Sequence, residues 1–235
     1  MKVIGITGSS GSGKSTVCDI LKREYNVKII DADKIAKQLS KKGTSYLNNI
    51  VKEFGENILD EKGELDRKKL ANIIYRDSEK RNKLNNCTFK YIKNEIEREI
   101  KKDNGASTII IDAPLLFECE LENVCECVIG VISNKNMQIT RIMSRDGIDC
   151  IEAERRLTSQ QTNEFYIEKC NEIVENNGNI DDMKNKVKKI KKKTMLLLTL
   201  AATGLILVGV IVYAWFFYKR QLDTLTWIKT PIRLE

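Results

Sequence analysis

The run Gly8-Ser-Ser-Gly-Ser-Gly13-Lys14-Ser15 follows directly on "KVIGIT" and leads into "KSTVCDILKREY", whose apolar spacing is helical. A strand that passes through a glycine-rich turn into a helix is half of a strand–helix–strand unit. Such units require a parallel sheet with helices on its faces. "VKIID", "ASTIIIDAPLLF" and "ECVIGVIS" supply three more short apolar runs, and "NEIVENNG" reads as a short final strand. Near-continuous apolar strands alternating with helices predict an α/β fold with a parallel sheet buried on both sides.

Residues 41–105 lie between the second and third strands and are patterned as helix, including "DRKKLANIIYRDSEKRNKL" and "FKYIKNEIEREIKK". That is too long for an ordinary crossover and predicts an inserted helical subdomain, a natural seat for substrate specificity. After the fourth strand, "KNMQITRIMSRDG" and "CIEAERRLTSQQ" predict a helix pair joined at Asp146-Gly147. "NIDDMKNKVKKIKKK" predicts a charged helix.

Charge divides the chain. Residues 1–183 carry 29 Lys+Arg against 31 Asp+Glu, and residues 184–235 carry 11 against 2. A nucleic-acid-binding body would itself be basic, so no nucleic-acid partner is expected. Met195 to Phe217 is a stretch of 23 residues without a charge. As a helix it would span ~34 Å, against ~30 Å for a hydrocarbon core. Tyr213 and Trp215 suit an interfacial belt, and seven lysines between Lys184 and Lys193 place the N-terminal body on the cytoplasmic side. The expectation is a cytoplasmic body anchored to the inner face of the membrane through the lipid bilayer by residues 195–217. A short tail, 219–235, carries no readable chemistry. Met1-Lys2 runs straight into a strand-like segment, not an apolar leader. Seven scattered cysteines without a CxxC, and no histidine, argue against a disulfide framework and the common zinc patterns. Cys125-Glu126-Cys127 reads as alternation on one strand. Any general base must be a carboxylate or another non-histidine side chain.

The loop matches the pattern Gly-x-x-x-x-Gly-Lys-Ser and stands between strand and helix, where that pattern must stand. Its glycines Gly8 and Gly13 let backbone N–H groups converge on phosphate oxygens, and the helix start adds a favourable dipole. Lys14 offers a cation to the outer phosphates of ATP, and Ser15 offers a hydroxyl to Mg²⁺. A GTPase also needs an Asn-Lys-x-Asp; here Asn134-Lys135 is followed by Met137 where the aspartate should stand, and Asp112 lacks the following glycine. Asp31 and Asp33 follow strand two, and loops at the carboxyl ends of parallel strands converge on the ligand crevice. One of the pair is expected to cap a helix and the other to orient an attacking hydroxyl. Asp112, ending strand three, is a candidate for holding Mg²⁺ through water. Arg141 and Arg145, four apart, share one helix face.

Taken in order, "GITGSSGSGKSTV", "IIDADKIAKQL", "GELDRKKLANIIY", "DAPLLFE", "QITRIMSRDG", "RLTSQQ" and "VENNG" resemble the dephospho-CoA kinase family over residues 1–190. The resemblance implies ATP-dependent, Mg²⁺-assisted phosphorylation of the ribose 3′-hydroxyl of dephospho-CoA. It also implies a P-loop kinase core (1–40 and 106–190), a helical CoA-binding insert (41–105) and a lid (138–162), to which a transmembrane helix (195–218) is added. By position, Asp33 becomes the base or orienting acid. Gly11, Ser12, Gly13, Lys14, Ser15 and Thr16 hold the ATP phosphates, and Arg141 and Arg145 belong to the lid. Asp66 and Arg67 help form the acceptor side, and Asn177 in "ENNG" lies near the adenine. Phe89-Lys90 stands where members often have His-Pro, removing one potential contact in the substrate region. Rival readings are another small-molecule kinase, for a nucleoside or sugar acid, and a membrane-tethered ATP-binding regulator. Since the resemblance ends before the apolar run, a fusion or reading-frame accident accounts for the run most simply. Deleting residues 195–235 is therefore expected to leave the turnover of purified protein unchanged; a large loss would show that the tail takes part in catalysis.

Overall fold

The computed structural model describes residues 2–75, 77–102 and 105–190. The chain divides into a unit ending at Val187 and a second unit, Lys188–Glu235. The apolar run 195–217 and the tail beyond it lie outside the described residues. Among the described residues no helix is long and apolar enough to cross a membrane.

Five parallel strands form the sheet, β1 (Lys2–Thr7), β2 (Lys28–Asp31), β3 (Thr108–Asp112), β4 (Cys127–Ile132) and β5 (Glu172–Glu175), in the order β2-β3-β1-β4-β5. The first crossover carries the chain from β1 to the far edge, and β3 returns to pair between them. Register then sets three strand ends side by side, because Ile6 pairs with Asp112 and Asp112 with Asp31. The predicted strands are all present. Cys125 and Cys127 do not alternate on one strand, however. A tight turn at Leu121–Val124 ends at Cys125, and β4 begins at Cys127.

Alternation explains the apolar runs. Ile109 and Ile111 pack with Val3, Ile30 and Val128 into one cluster, while Ile110 and Ile6 are buried on the other side. Helix α1 (Lys14–Glu24) lies against β1, β2 and β3 and buries Val17, Ile20 and Leu21. α2 (Ala32–Leu39) follows β2 directly.

The insert is built on α5 (Ser78–Lys101), with α3 (Ser45–Phe54) and α4 (Arg67–Ile74) packed against it. The stretch beginning "DRKKLANIIY" is two helices, because Asp77 accepts from the N–H groups of Glu79 and Lys80 and starts α5 afresh. One face of α5 carries Phe89, Ile92, Ile96 and Ile100 onto the sheet cluster. Another carries Leu84, Cys87 and Tyr91 onto Tyr46, Ile50, Ile58 and Leu70. One helix therefore joins the two cores.

Beyond β4, α6 (Lys135–Asp146) and α7 (Cys150–Thr158) form the expected pair. α8 (Asn163–Lys169) escapes the sequence reading; its signal is Thr162, whose hydroxyl accepts from the Phe165 N–H. A last helix, α9, begins at residue 180 and buries Met183 and Val187.

Ile96 is wholly buried where α5 meets the sheet. Ile96→Ala is expected to destabilise the fold by about 2–5 kcal/mol through the cavity it leaves. A fall in the denaturation midpoint measures it, and an unchanged midpoint would show that α5 does not tie the insert to the sheet.

Candidate active site

Helix α1 begins unlike every other described α-helix. Asp31, Thr44, Asp66, Asp77, Asn134, Asp149 and Thr162 cap α2 to α8 through side-chain oxygens, and Asn179 does the same at α9. α1 starts at Gly13 with no side-chain cap. Its first N–H groups are left to an outside acceptor, and a helix start with such groups favours an anion.

The loop before it is shaped by close contact. Gly11 and Gly13 adopt positive φ angles of 74° and 97°. A Cβ at Gly11 would lie 2.6 Å from the Gln138 carbonyl oxygen, and one at Gly13 would lie 2.0 Å from Asn176 Nδ2. Both conformation and space therefore demand glycine. Ser12 is buried within the loop, while Ser15 is exposed at the helix start.

Lys14 reaches across to β3, where its Nζ lies 2.9 Å from Asp112 Oδ1, both side chains largely shielded. Cys18, one turn further along α1, is buried beside the same carboxylate. Burial first, then the charge of Asp112, pushes its thiol well above the ordinary range. Asp31 accepts from the Lys34 N–H at 2.9 Å and caps α2. That leaves Asp33, in the first turn of α2, as the free carboxylate of the pair. The residue is exposed, yet desolvation by its surroundings raises its pKa above the usual carboxylate value. Lys14 pulls it down, Asp31 and Asp112 push it up, and Arg67 pulls it down again. These charges interact because the strand register brings their loops together.

The two expected lid arginines do different things. Arg141 Nη1 donates to the Gly11 carbonyl at 3.0 Å and to Ser133 Oγ at 3.2 Å, and Nη2 donates to the Asn176 carbonyl at 3.2 Å. Its guanidinium is committed to two backbone carbonyls and the Ser133 hydroxyl. Arg145 is more open; it donates to Ser10 Oγ at 3.1 Å and grips Asp146 through Nε at 2.7 Å and Nη2 at 2.9 Å. Arg156 holds Asp146 from the other side at 2.9 Å and lies over the Tyr75 ring. Hydrogen bonds from Arg145, with both arginines' charges, hold the Asp146 carboxyl below its usual range despite partial burial.

On the insert, Asp66 caps α4 by accepting from the N–H groups of Lys68 and Lys69. Arg67 reaches Ser40 Oγ at 2.7 Å. Phe89 packs into the sheet-side core, and Lys90 lies over the Tyr91 ring. Asn177 accepts from the Asn134 N–H at 2.8 Å and donates to Glu175, closing the end of β5 onto α6.

Three residues at the loop go unnamed in the sequence reading. Gln138 donates to Ser9 Oγ at 2.6 Å and the Ser10 carbonyl at 3.1 Å, Gln160 accepts from the Ser10 N–H at 2.7 Å, and Asn176 donates to the Ser12 carbonyl at 2.8 Å. The signal for Asn176 is strand alternation past β5, since Val174 and Asn176 are buried while Glu175 and Asn177 are exposed. For Gln138 it is the three-residue spacing to Arg141.

A phosphate loop on a parallel sheet in this order, with lysine and carboxylates facing one crevice, defines a P-loop kinase. A family model described as dephospho-CoA kinase matches residues 2–182. The dephospho-CoA kinase of Fusobacterium nucleatum is 41% identical over 187 residues, covering 80% of this chain and 95% of the relative. That of Bacillus cereus is 37% identical over 193 residues, covering 81% and 96%. The solved dephospho-CoA kinase from Campylobacter jejuni superposes with a TM-score of 0.58 at 30% identity, over 83% of this chain and 98% of that one. The chain belongs to the dephospho-CoA kinase family.

A carboxyl whose pKa rises on folding favours the folded state in acid and opposes it once the pH passes the raised value. Asp33→Asn removes that opposition. Turnover is therefore expected to fall by about 10²–10⁴-fold, the reach of general-base help, while the denaturation midpoint at neutral pH stays level or rises. In the unsubstituted chain the acid limb of kcat/KM should lie above the ordinary aspartate range. Full turnover in Asp33→Asn would remove Asp33 from the chemistry.

Proposed function

We propose that the chain transfers the γ-phosphoryl group of ATP to the ribose 3′-hydroxyl of dephospho-CoA, forming coenzyme A and ADP. Family membership supports the reaction. The observation that carries the mechanism is the strand register, which sets the ends of β1, β2 and β3 side by side. Asp33, two residues beyond Asp31, therefore stands at the same end of the sheet as Lys14, which pairs with Asp112. Asp33 accepts a hydrogen bond from the 3′-hydroxyl and aims its oxygen at the γ-phosphorus. As the new P–O bond forms and the β–γ bridge bond breaks, the hydroxyl proton leaves towards Asp33.

Residues of the loop from Gly8 and Gly11 through Ser12, Gly13, Lys14, Ser15 and Thr16 receive the phosphates. Lys14 exchanges Asp112 for phosphate oxygens. Arg145, which is accessible and beside Ser10, is the arginine placed to meet the transferring group, whereas Arg141 acts through the loop backbone. Ser15 and Asp112 fit Mg²⁺ as an exposed hydroxyl and a neighbouring carboxylate, since this ion takes few protein oxygens alongside phosphate and water. Mg²⁺ held there would supply positive charge that offsets the charge of the phosphates. Arg67 brings positive charge to the acceptor side, with Asp66 starting the helix that carries it. Asn177 borders the adenine end.

Residues 195–217 are proposed to anchor this kinase to the inner face of the membrane. The absence of charge along the run and the lysines before it support that reading.

The assay is ADP release with dephospho-CoA as sole acceptor, followed by location of the new phosphate. Phosphate on the ribose 3′-oxygen is expected, and nucleosides or gluconate-like acids should be poor acceptors. Equal transfer to those acceptors would overturn the assignment.

A further inference from the structure

Three successive carbonyls of the phosphate loop, those of Ser10, Gly11 and Ser12, each accept a hydrogen bond from a different side chain. The donors are Gln138 at 3.1 Å, Arg141 at 3.0 Å and Asn176 at 2.8 Å. We propose that Gln138, Arg141 and Asn176 are positioning residues that set the peptide planes of the loop before a nucleotide arrives. The inference rests on the reading of this loop as the seat of the ATP phosphates.

The physical reason lies in the peptide unit. In a trans peptide the carbonyl and the next residue's N–H point in opposite directions. Holding the Ser10 carbonyl on the Gln138 side turns the Gly11 N–H away from Gln138. Holding the Ser12 carbonyl on the Asn176 side does the same for the Gly13 N–H. The intervening Ser12 N–H is itself fixed, donating to the Ser9 carbonyl at 3.2 Å. A segment with three glycines among six residues, Gly8 to Gly13, has many alternative conformations, and ordering it only when ligand binds would weaken binding.

The bracing side chains are themselves held. Gln138 is 3% exposed and Asn176 8%. The Asn176 N–H donates to the Ile132 carbonyl at 2.8 Å, and Arg141 also binds Ser133 Oγ, so the struts stand on the ends of β4 and β5. The close fit of Gly11 to Gln138 and of Gly13 to Asn176 leaves the loop little room to turn its planes over. Helix α6 thus serves the loop's backbone through Gln138 and Arg141, one turn before Arg145 faces the crevice.

The test uses the full chain and ADP, whose binding needs no acceptor. Asn176→Ala, which loses one buried hydrogen bond to the loop, is expected to raise the ADP Kd and the KM for ATP about tenfold, and Gln138→Ala, which loses two, at least as much. The KM for dephospho-CoA should remain within about twofold, well inside the scatter of a remote change. Gln138→Glu keeps the volume but can donate only when protonated. Its ADP affinity should be poor near about pH 8 and recover towards that of the unsubstituted chain near about pH 5, because burial at this position raises the carboxyl's pKa and lets it take up a proton well above the ordinary glutamate range. That recovery is something a purely structural role would not produce. If an alanine variant does not fold, the Gln138→Glu profile decides. An ADP Kd unchanged in folded alanine variants, a flat Gln138→Glu profile, or equal losses for both substrates would overturn the proposal. Failure of the chain to phosphorylate dephospho-CoA would sink the assigned reaction instead, leaving the ADP results intact.

Discussion

The open start of α1 is the feature on which the rest of the molecule depends. A helix that begins without a side-chain cap leaves N–H groups seeking an acceptor, and other described α-helices here avoid that condition with an Asp, Asn or Thr. The exception occurs where β1 delivers the chain to the centre of the sheet. An uncapped helix end favours an anion, and the residues around this one are held in place. Gln138, Arg141 and Asn176 hold the carbonyls before it, and the ion pair of Lys14 with Asp112 holds the lysine after it.

The acceptor side is organised by sheet register. Asp112 stands beside both Ile6 and Asp31 in the ladder, so the ends of β1, β2 and β3 open on the same crevice. Asp31 is drawn into capping α2, which leaves Asp33 in the crevice with a charge that burial opposes. Although Asp33 is itself exposed, partial desolvation makes it hold its proton more tightly than an ordinary surface carboxylate. The insert meets this arrangement through α5. Because α5 belongs to both hydrophobic clusters, Arg67 and the helices around it are carried by the same rigid element that covers the sheet.

Cysteine chemistry has little part in this. None of the seven cysteines is disulfide-bonded, and burial pushes the thiols of Cys119, Cys125 and Cys170 up to about 12, where they stay protonated and unreactive. Cys18 is raised likewise, by burial first and then by the Asp112 carboxylate.

The strands, the glycine-rich loop and the helical patterning of the insert were legible in the sequence, as was the expectation that one of Asp31 and Asp33 caps a helix; that it is Asp31 was decided by the fold. Each is written in local order: apolar runs, glycine spacing, and an acid at a helix start. Tertiary structure alone decided which polar side chains face the loop. Nothing local tells Asn176 from Asn177 until β5 has paired with β4 and its alternation has a buried side. Arg141 and Arg145 share a helix face, yet the packing of α6 against the loop turns one into backbone and leaves the other open. Position along the chain determines what a residue is able to do chemically. Which partner it meets depends on contacts between segments more than a hundred residues apart, and those exist only once the sheet has closed.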